Sequence, residues 1–188
     1  LEDVIDKIDV STGSSILSAN GNIGDGERYG MSVDASLRLG FIGLPEILVT
    51  SRFDAEDSSV TDPFLGIDRR LSHQGRGNYS LGFRHDVPAR KLNYGFTYRG
   101  SIKDNNKVFD IDKIEAYNTD AFVIMFLEVQ GWTGLTYRFE ATNPHESERC
   151  RIRSRYVGGT IATGTLNEIE NSCSHTGEKY AIKIRGTF

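Results

Sequence analysis

Hydrophobic and polar residues alternate with a period of two along most of the chain. From Tyr29 to Leu39 every odd position is apolar, while the even positions are glycine, serine, aspartate or arginine. Successive side chains of a β-strand point to opposite faces, so this pattern predicts a strand with one apolar and one polar face. Similar alternation recurs at 78–84, 92–99, 135–142, 149–156 and 179–188.

Weaker segments at 1–10, 46–57, 108–117 and 121–130 raise the prediction to about ten strands, with no helix. The segment 108–117 fits worst because charged residues interrupt both of its faces, and it predicts a bulge or a weak strand. The chain is therefore predicted to be all-β.

The connections between the predicted strands differ systematically in length. The connections form two alternating series. The first contains the short gaps near 40–45, 88–91, 118–120 and 143–148. The second contains the long gaps 11–26, 58–77 and 159–178, together with two tight gaps at 103–107 and 131–133. An antiparallel up-and-down meander sorts its connections in this way, and outer-membrane barrels have short turns at one end and longer loops at the other. A Greek-key sandwich gives no reason for such a separation.

Composition and charge exclude several classes of protein. The longest apolar run, residues 121–127, is far shorter than the ~20 residues that a membrane-spanning helix needs. The net charge is −4 and there is no basic tract, so a nucleic-acid partner is not expected. Cys150 and Cys173 match no metal-site spacing, and the four histidines are scattered along the chain. We find no catalytic motif and predict no catalytic, cofactor-binding or metal-binding residue: the protein is predicted not to be an enzyme.

Alternation does not reveal whether the apolar face meets a protein core or lipid. Soluble β-sandwiches are the commoner class, but three features favour lipid. A row of four arginines at 149–155 suits a hydrated lumen, and the last predicted strand closes on the apolar Phe188. The third feature is a set of aromatic residues near strand ends, where membrane interfaces favour them: Tyr29, Phe41, Tyr79, Tyr98, Tyr117, Trp132, Tyr156 and Phe188. We predict part of a transmembrane β-barrel.

Four segments, taken together in their order along the chain, resemble one protein family. They are 21–37 (GNIGDGERYGMSVDASL), 78–88 (NYSLGFRHDVP), 135–143 (LTYRFEATN) and 184–188 (IRGTF). Together they are similar to the carboxy-terminal barrel strands of the TonB-dependent outer-membrane receptors. The sequence departs from the family pattern at Ser32, where the family usually has glutamate, and at Pro144 and His145, where it has an aliphatic pair.

The resemblance implies a location and a function. Residues 1–188 would be the carboxy-terminal strands of a barrel in the bacterial outer membrane, a fragment whose plug domain and amino-terminal strands lie outside this sequence. The receptor would carry out energised uptake of a scarce nutrient, a siderophore-, vitamin- or sugar-like ligand. Its partners would be outer-membrane lipid, the plug and remaining strands of the same protein, the TonB complex and an unidentified small molecule. Two alternatives stay open: a small complete outer-membrane barrel (a porin or hydrolase), and a soluble β-sandwich binding module.

The resemblance also sets the direction of the strands. The three long gaps would face the outside, with Cys150 near the periplasmic end of its strand and Cys173 in an outside loop. In a barrel the two cysteines would then lie too far apart to bond, whereas in a sandwich they could pair.

The polar face holds the candidate functional residues. We expect them to line the lumen and to pair with one another and with the plug, or in some cases to contact an anionic ligand such as a metal chelate. They are Arg38, Arg52, Asp54, Arg84, Asp86, Arg99, Arg138, Glu140, Arg151 and Arg153, together with Asp34. Phe122, Ile124 and Phe126 make one strand apolar on both faces, which predicts contact with the plug in a barrel or a central strand in a sandwich.

Overall fold

The fold is that of a computed structural model, which describes residues 1–13, 15–102, 106–131 and 134–186. The chain is 70% strand and 3% helix, which confirms the all-β prediction. Trp132 and Phe188, two of the predicted strand-end aromatics, lie outside the described residues. No helix in the described ranges has the length and apolarity needed to cross a membrane.

The strands within the described ranges follow one another with short connections. In chain order they are β1 (Ile5–Asp9), β2 (Ser18–Asn22), β3 (Gly26–Leu39), β4 (Leu44–Thr61), β5 (Asp68–Arg69), β6 (Gly77–Val87), β7 (Leu92–Ser101), β8 (Asn106–Phe109), β9 (Lys113–Thr119), β10 (Phe122–Gln130), β11 (Leu135–Thr142), β12 (Ser147–Val157), β13 (Thr165–Thr176) and β14 (Lys179–Gly186). Single 3₁₀ turns at Gly40–Ile42 and Pro88–Arg90 join β3 to β4 and β6 to β7.

Most of the predicted strands form one antiparallel sheet, which we call the main sheet. Its order is β14-β11-β10-β7-β6-β4-β3, and the short strand β5 adds to β4. Strands that are neighbours in the sheet are joined along the chain either directly or through a segment that leaves the sheet and returns to it, which we call an excursion. The predicted up-and-down meander is therefore present. β1 and β2 pair separately with each other.

The excursions from the main sheet make a second sheet, the hairpin sheet, in the order β13-β12-β9-β8. It continues the ladders of the main sheet: the Asp120 N–H donates to the Glu148 carbonyl (2.8 Å) and the Asn143 N–H to the Val123 carbonyl (2.7 Å). The chain therefore passes from β9 into β10, and from β11 into β12, without reversing direction.

This continuity corrects several predicted connections. The predicted turns at 118–120 and 143–148 are wrong, because the chain runs straight on through them. The predicted loop 159–178 is mostly strand β13, and the chain reverses only at 158–164. The segment 108–117 is two strands that meet at a turn, not one weak strand.

An unusual backbone at Asn143 permits the passage from β11 into β12. Asn143 has a left-handed φ of 58° and Glu146 one of 52°. The buried Asn143 side chain accepts a hydrogen bond from the Ser147 N–H (3.0 Å) and donates to the Thr176 carbonyl. These bonds satisfy polar groups that the irregularity removes from the ladder.

The two ends of the main sheet differ. At the turn end the strands are joined by the connections β3–β4, β6–β7 and β10–β11. At the loop end lie the longer segment 62–76, the hairpin sheet with its turns at 110–112 and 158–164, and the β1–β2 hairpin. The separation of short and long connections predicted from the sequence is therefore present, with different members.

The register places the apolar residues of all seven long strands on one face of the main sheet. One row of directly paired residues crosses the whole sheet: Leu37, Val49, Phe83, Phe96, Met125, Ala141 and Tyr180. Within it the rings of Phe83 and Phe96 stack with centroids 5.8 Å apart. The opposite, polar face carries the charged residues.

The apolar face is largely uncovered. Met31, Val33, Leu81 and Ile182 are 60%, 51%, 45% and 68% exposed, so they do not converge in a dry interior. The chain exposes 12045 Å² in all, whereas a compact monomer of 20.9 kDa exposes about 9,000 Å². The buried apolar side chains of the described residues lie instead at the loop end: Val60, Phe109, Ile111 and Ile161.

Candidate functional site

Nine of the eleven predicted site residues lie on the polar face of the main sheet, where alternate positions of neighbouring strands face the same way. Most are paired with one another. Arg52 Nε lies 2.8 Å from Asp54 Oδ2, and Arg84 Nε lies 2.8 Å from Asp86 Oδ1. Arg138 Nε lies 2.7 Å from Glu140 Oε1.

Further charges extend these pairs across the strands. Arg38 Nη1 approaches Asp86 at 3.7 Å, and Arg52 Nη1 approaches Asp34 at 3.8 Å. Lys183 also binds Glu140. The arrangement agrees with mutual pairing along the polar face, the simpler of the two expectations for these residues. Whether this face lines a lumen stays a prediction.

Arg151 and Arg153 lie apart from the other nine, in strand β12 of the hairpin sheet. Arg153 pairs with Glu115 on β9 and with Glu170 on β13, and Arg151 Nη2 lies 3.0 Å from Glu170. Burial raises the pKa of Glu115, but the hydrogen bonds from Tyr117 and Arg153 outweigh it and hold that pKa below its usual value. Glu115 is therefore ionised at neutral pH and completes the pairing of Arg153.

Strand β10 carries apolar side chains on the polar face of the main sheet, at the positions Phe122, Ile124 and Phe126 that the sequence predicted. Phe126 is paired with Gly95 on β7, where any side chain would press against its ring, and the Arg138 guanidinium carbon lies 4.2 Å from the ring centroid. Phe122 is paired with Arg99. Contact of these residues with a plug stays a prediction.

A cleft lies on the polar face where the main sheet meets the hairpin sheet, and we call it the junction cleft. It consists of two adjoining hollows of about 450 Å³ and 470 Å³ that share Asn78, Ser101 and Thr119 as walls. Arg99 lines the hollow on the main sheet, and Arg149 lines the hollow towards the hairpin sheet. The sequence analysis predicted Arg99 as a site residue; it included Arg149 in the arginine row at 149–155 but not among the candidate site residues, and it did not predict the cleft.

A buried ion-pair network at the loop end was also missed. Arg69 Nε donates to Asp62 Oδ2 (2.6 Å), and Arg69 Nη2 donates to Asp6 of β1 (3.0 Å). Asp62 is fully buried and accepts two more bonds from the backbone N–H groups of Phe64 and Leu65. The network ties segment 62–76 to the β1–β2 hairpin.

The same region joins the other segments of the loop end. The Arg69 guanidinium carbon lies 4.8 Å from the Phe109 ring centroid, and the Ile161 N–H donates to the Ile111 carbonyl (2.7 Å). We call this assembly of Asp6, Asp62, Arg69, Phe109, Ile111 and Ile161 the loop cluster. No sequence signal marks it, because its charges come from distant, irregular segments.

Cys150 and Cys173 form a disulfide between β12 and β13, which corrects the expectation that they lie too far apart in a barrel. They are directly paired residues of the ladder. The error follows from the predicted loop at 159–178: because that segment is strand β13, it brings Cys173 opposite Cys150. The bond therefore does not discriminate between a barrel and a sandwich. Glu148 lies close to both sulfur atoms, but bonded cysteines offer no thiolate to a metal.

Removing the disulfide should weaken the hairpin sheet. We expect the double substitution Cys150→Ala and Cys173→Ala to lower the free energy of unfolding by about 3 kcal/mol, the loop-closure entropy of a cross-link between residues separated by 23 positions. Thermal unfolding with and without a thiol reductant measures the effect. The reductant should destabilise the native protein and leave the double variant unchanged; equal responses of the two proteins would contradict the bond.

Comparison of the chain with protein-family models, with curated proteins and with solved structures finds no match. The resemblance to TonB-dependent receptors therefore stays a prediction from the four sequence segments that carry it.

Proposed function

We propose that the main sheet is part of the wall of an outer-membrane β-barrel, in a receptor that takes up a scarce nutrient. The single observation that carries the proposal is the apolar face, which is continuous across seven strands and largely exposed. Apolar surface exposed to water costs about 25 cal/mol per Å², so a face of this size requires a cover. Lipid acyl chains cover such a face in transmembrane barrels.

The length of the apolar face suits a bilayer. Alternation in β3 persists over residues 29–39, and a tilted strand needs about 9–11 residues to cross the hydrocarbon. Aromatic residues lie towards both ends of the face: Tyr29 and the Tyr79–Tyr98 pair towards the loop end, and Phe41 at the turn end. Amphipathic rings favour the headgroup level of a bilayer, which supports this orientation.

The polar side of the structure supports the same assignment. Ion pairs such as Arg84–Asp86 and Arg138–Glu140 are compatible with a hydrated lumen and are costly against hydrocarbon. Disulfides persist in oxidising compartments, and the Cys150–Cys173 bond lies in the hairpin sheet, beyond the apolar face. Outer-membrane barrels have short periplasmic turns and longer outside loops, so the loop end would face the outside and the turn end the periplasm.

The edges of the sheet support a larger assembly. Among the described strands, β3 and β14 each have a neighbour on one side only, so each presents backbone N–H and C=O groups that no described strand pairs. Each such group costs several kcal/mol in hydrocarbon, so these edges require further strands in a membrane. The proposal assigns these strands, together with a plug domain, to the remainder of the receptor. Uptake driven by TonB rests on the sequence resemblance alone.

Labelling on intact cells tests the location and orientation of the sheet. Ala162 at the loop end and Arg90 at the turn end both have exposed side chains, and the test uses the variants Ala162→Cys and Arg90→Cys. A membrane-impermeant maleimide should label Ala162→Cys on intact bacteria, and should label Arg90→Cys only after the outer membrane is permeabilised. The native disulfide does not react, so background labelling is low.

Equal labelling of the two variants on intact cells, or recovery of the protein in the aqueous fraction without detergent, would contradict the barrel. The uptake assignment has its own test. The full-length protein should bind the periplasmic domain of TonB in a pull-down, and a negative result would contradict the receptor while leaving the barrel in place.

A further inference from the structure

Two arginines in the junction cleft have no carboxylate partner among the described residues. They are Arg99 on β7 and Arg149 on β12, and both are exposed. Arg149 lies beside the Tyr117 ring, with its guanidinium carbon 5.9 Å from the ring centroid. In contrast, the neighbouring Arg52 and Arg28 are paired with Asp54 and Glu56.

The acidic residues of the cleft are already occupied. Asp54 Oδ1 accepts from the Ser32 hydroxyl (2.6 Å), and both of its carboxylate oxygens accept from Arg52. Glu56 Oε2 accepts from Arg28 and from the Gln74 amide (3.1 Å). Asp120 also has a polar partner. The cleft therefore offers two positive charges that its own carboxylates do not neutralise.

Uncharged donors lie between the two arginines. The Ser101 hydroxyl donates to Asn78 Oδ1 (3.0 Å), which orients the Asn78 amide nitrogen away from Ser101. Within the described part of the chain, that amide nitrogen and the Thr119 hydroxyl have no hydrogen-bond partner. A ligand in the cleft would meet a guanidinium on either side and neutral donors in the middle.

We propose that the junction cleft binds a small anion through carboxylate or phosphate oxygens, with Arg99 and Arg149 as its two cationic contacts. A guanidinium presents a planar fork of N–H donors that matches the oxygens of either group. The two hollows, each of about 450–470 Å³, are in the size range of small-molecule sites. This inference rests on the proposed function in one respect, the role of the ligand as a nutrient.

The cleft also joins two separate parts of the fold. Arg99 belongs to the main sheet and Arg149 to the hairpin sheet, so a bound anion would bridge the two sheets. Arg38, Arg84 and Arg138 are paired and do not line either hollow. The anion site is therefore a property of the junction and not of the polar face as a whole.

Calorimetric titration of the full-length protein in detergent micelles tests the site. The probes are citrate, which presents carboxylates, and pyrophosphate, which presents phosphates. We expect one of them to bind, and we expect Arg99→Gln and Arg149→Gln each to weaken that binding at least tenfold. The matched control is Arg185→Gln, an exposed arginine on the same face near the turn end, which should leave the affinity unchanged.

Each result separates the site from non-specific attraction. Absence of binding by both probes, or equal weakening by the control, would overturn the inference, as would binding that neither cleft variant alters. The choice between citrate and pyrophosphate distinguishes a carboxylate ligand from a phosphate ligand. Because labelling of Ala162→Cys on cells reports the barrel independently, a failed titration with a normal labelling pattern overturns the anion site and leaves the proposed function standing.

Discussion

Replacing Met125 by arginine should lower the free energy of unfolding in phosphatidylcholine vesicles by about 2–4 kcal/mol, the cost of an arginine at the lipid-facing midplane of a barrel. Met125 lies near the centre of the apolar face, paired with Phe96 on one side and Ala141 on the other. Its side chain is 47% exposed, so a protein core does not hold it. Urea unfolding of the full-length protein, followed by far-ultraviolet circular dichroism, measures the effect.

The matched control for this experiment is Thr50→Arg. Thr50 is an exposed residue in the middle of β4, on the polar face. There the new arginine would meet water, so the free energy of unfolding should change little. Equal effects of the two substitutions, or no effect of Met125→Arg in vesicles, would contradict lipid as the cover of the apolar face.

Replacing Asp62 by alanine should have a larger effect, confined at first to the loop end. Asp62 and Arg69 have side chains that are 0% and 4% exposed, and removal of one partner leaves the other charge buried. Breaking a buried pair in this way typically costs about 3–5 kcal/mol. The two backbone N–H groups of Phe64 and Leu65 would also lose their acceptor.

Hydrogen–deuterium exchange measures this effect where it occurs. Amides of segment 62–76 and of β1 should exchange faster in Asp62→Ala, because Arg69 holds both segments. Asp68→Ala provides the control: Asp68 is in the same segment but exposed, and it accepts a bond only from the Thr61 hydroxyl (3.1 Å) in the described structure. Similar exchange in the two variants would show that the buried network does not hold the loop cluster together.

Alternation predicted the strands of the main sheet well, because one face of each is apolar and the other is charged. Met31, Val33 and Leu37 lie on the face that the sequence indicates, and Asp34 and Arg38 lie on the other. A difference between two faces is what produces a period of two in the sequence. The strand bounds in the structure differ from the predicted ones mainly at their ends.

Strand β13 of the hairpin sheet was harder to predict because it lacks such a difference. Almost all of β13 is exposed, so neither of its faces needs to be apolar, and the sequence analysis assigned it to a loop. Pro144 and His145 after Asn143 resemble a turn, although the chain continues through them. The backbone bonds from Asp120 to Glu148 and from Asn143 to Val123 reveal the continuity, and a pairing between distant segments leaves no mark in local sequence.

The candidate site was also predicted in part: the residues placed by alternation were found, and those placed by contacts between distant segments were not. The polar-face residues followed from alternation, and Arg99 was among them. Arg149 was recognised as charged but not as part of a cleft, since its position depends on how β9 and β12 meet the main sheet. The network around Arg69 depends on three segments that are far apart along the chain, so its buried charges could not be distinguished from solvated ones.

The number of strands in the main sheet has a consequence for its closure. Each of the six pairings from β3 to β14 is antiparallel, so these two edge strands run in the same direction. Direct contact between them would create a parallel seam, and single-chain bacterial barrels have an even strand count. A cylinder with alternating directions throughout would therefore need an odd number of additional strands inserted between β14 and β3.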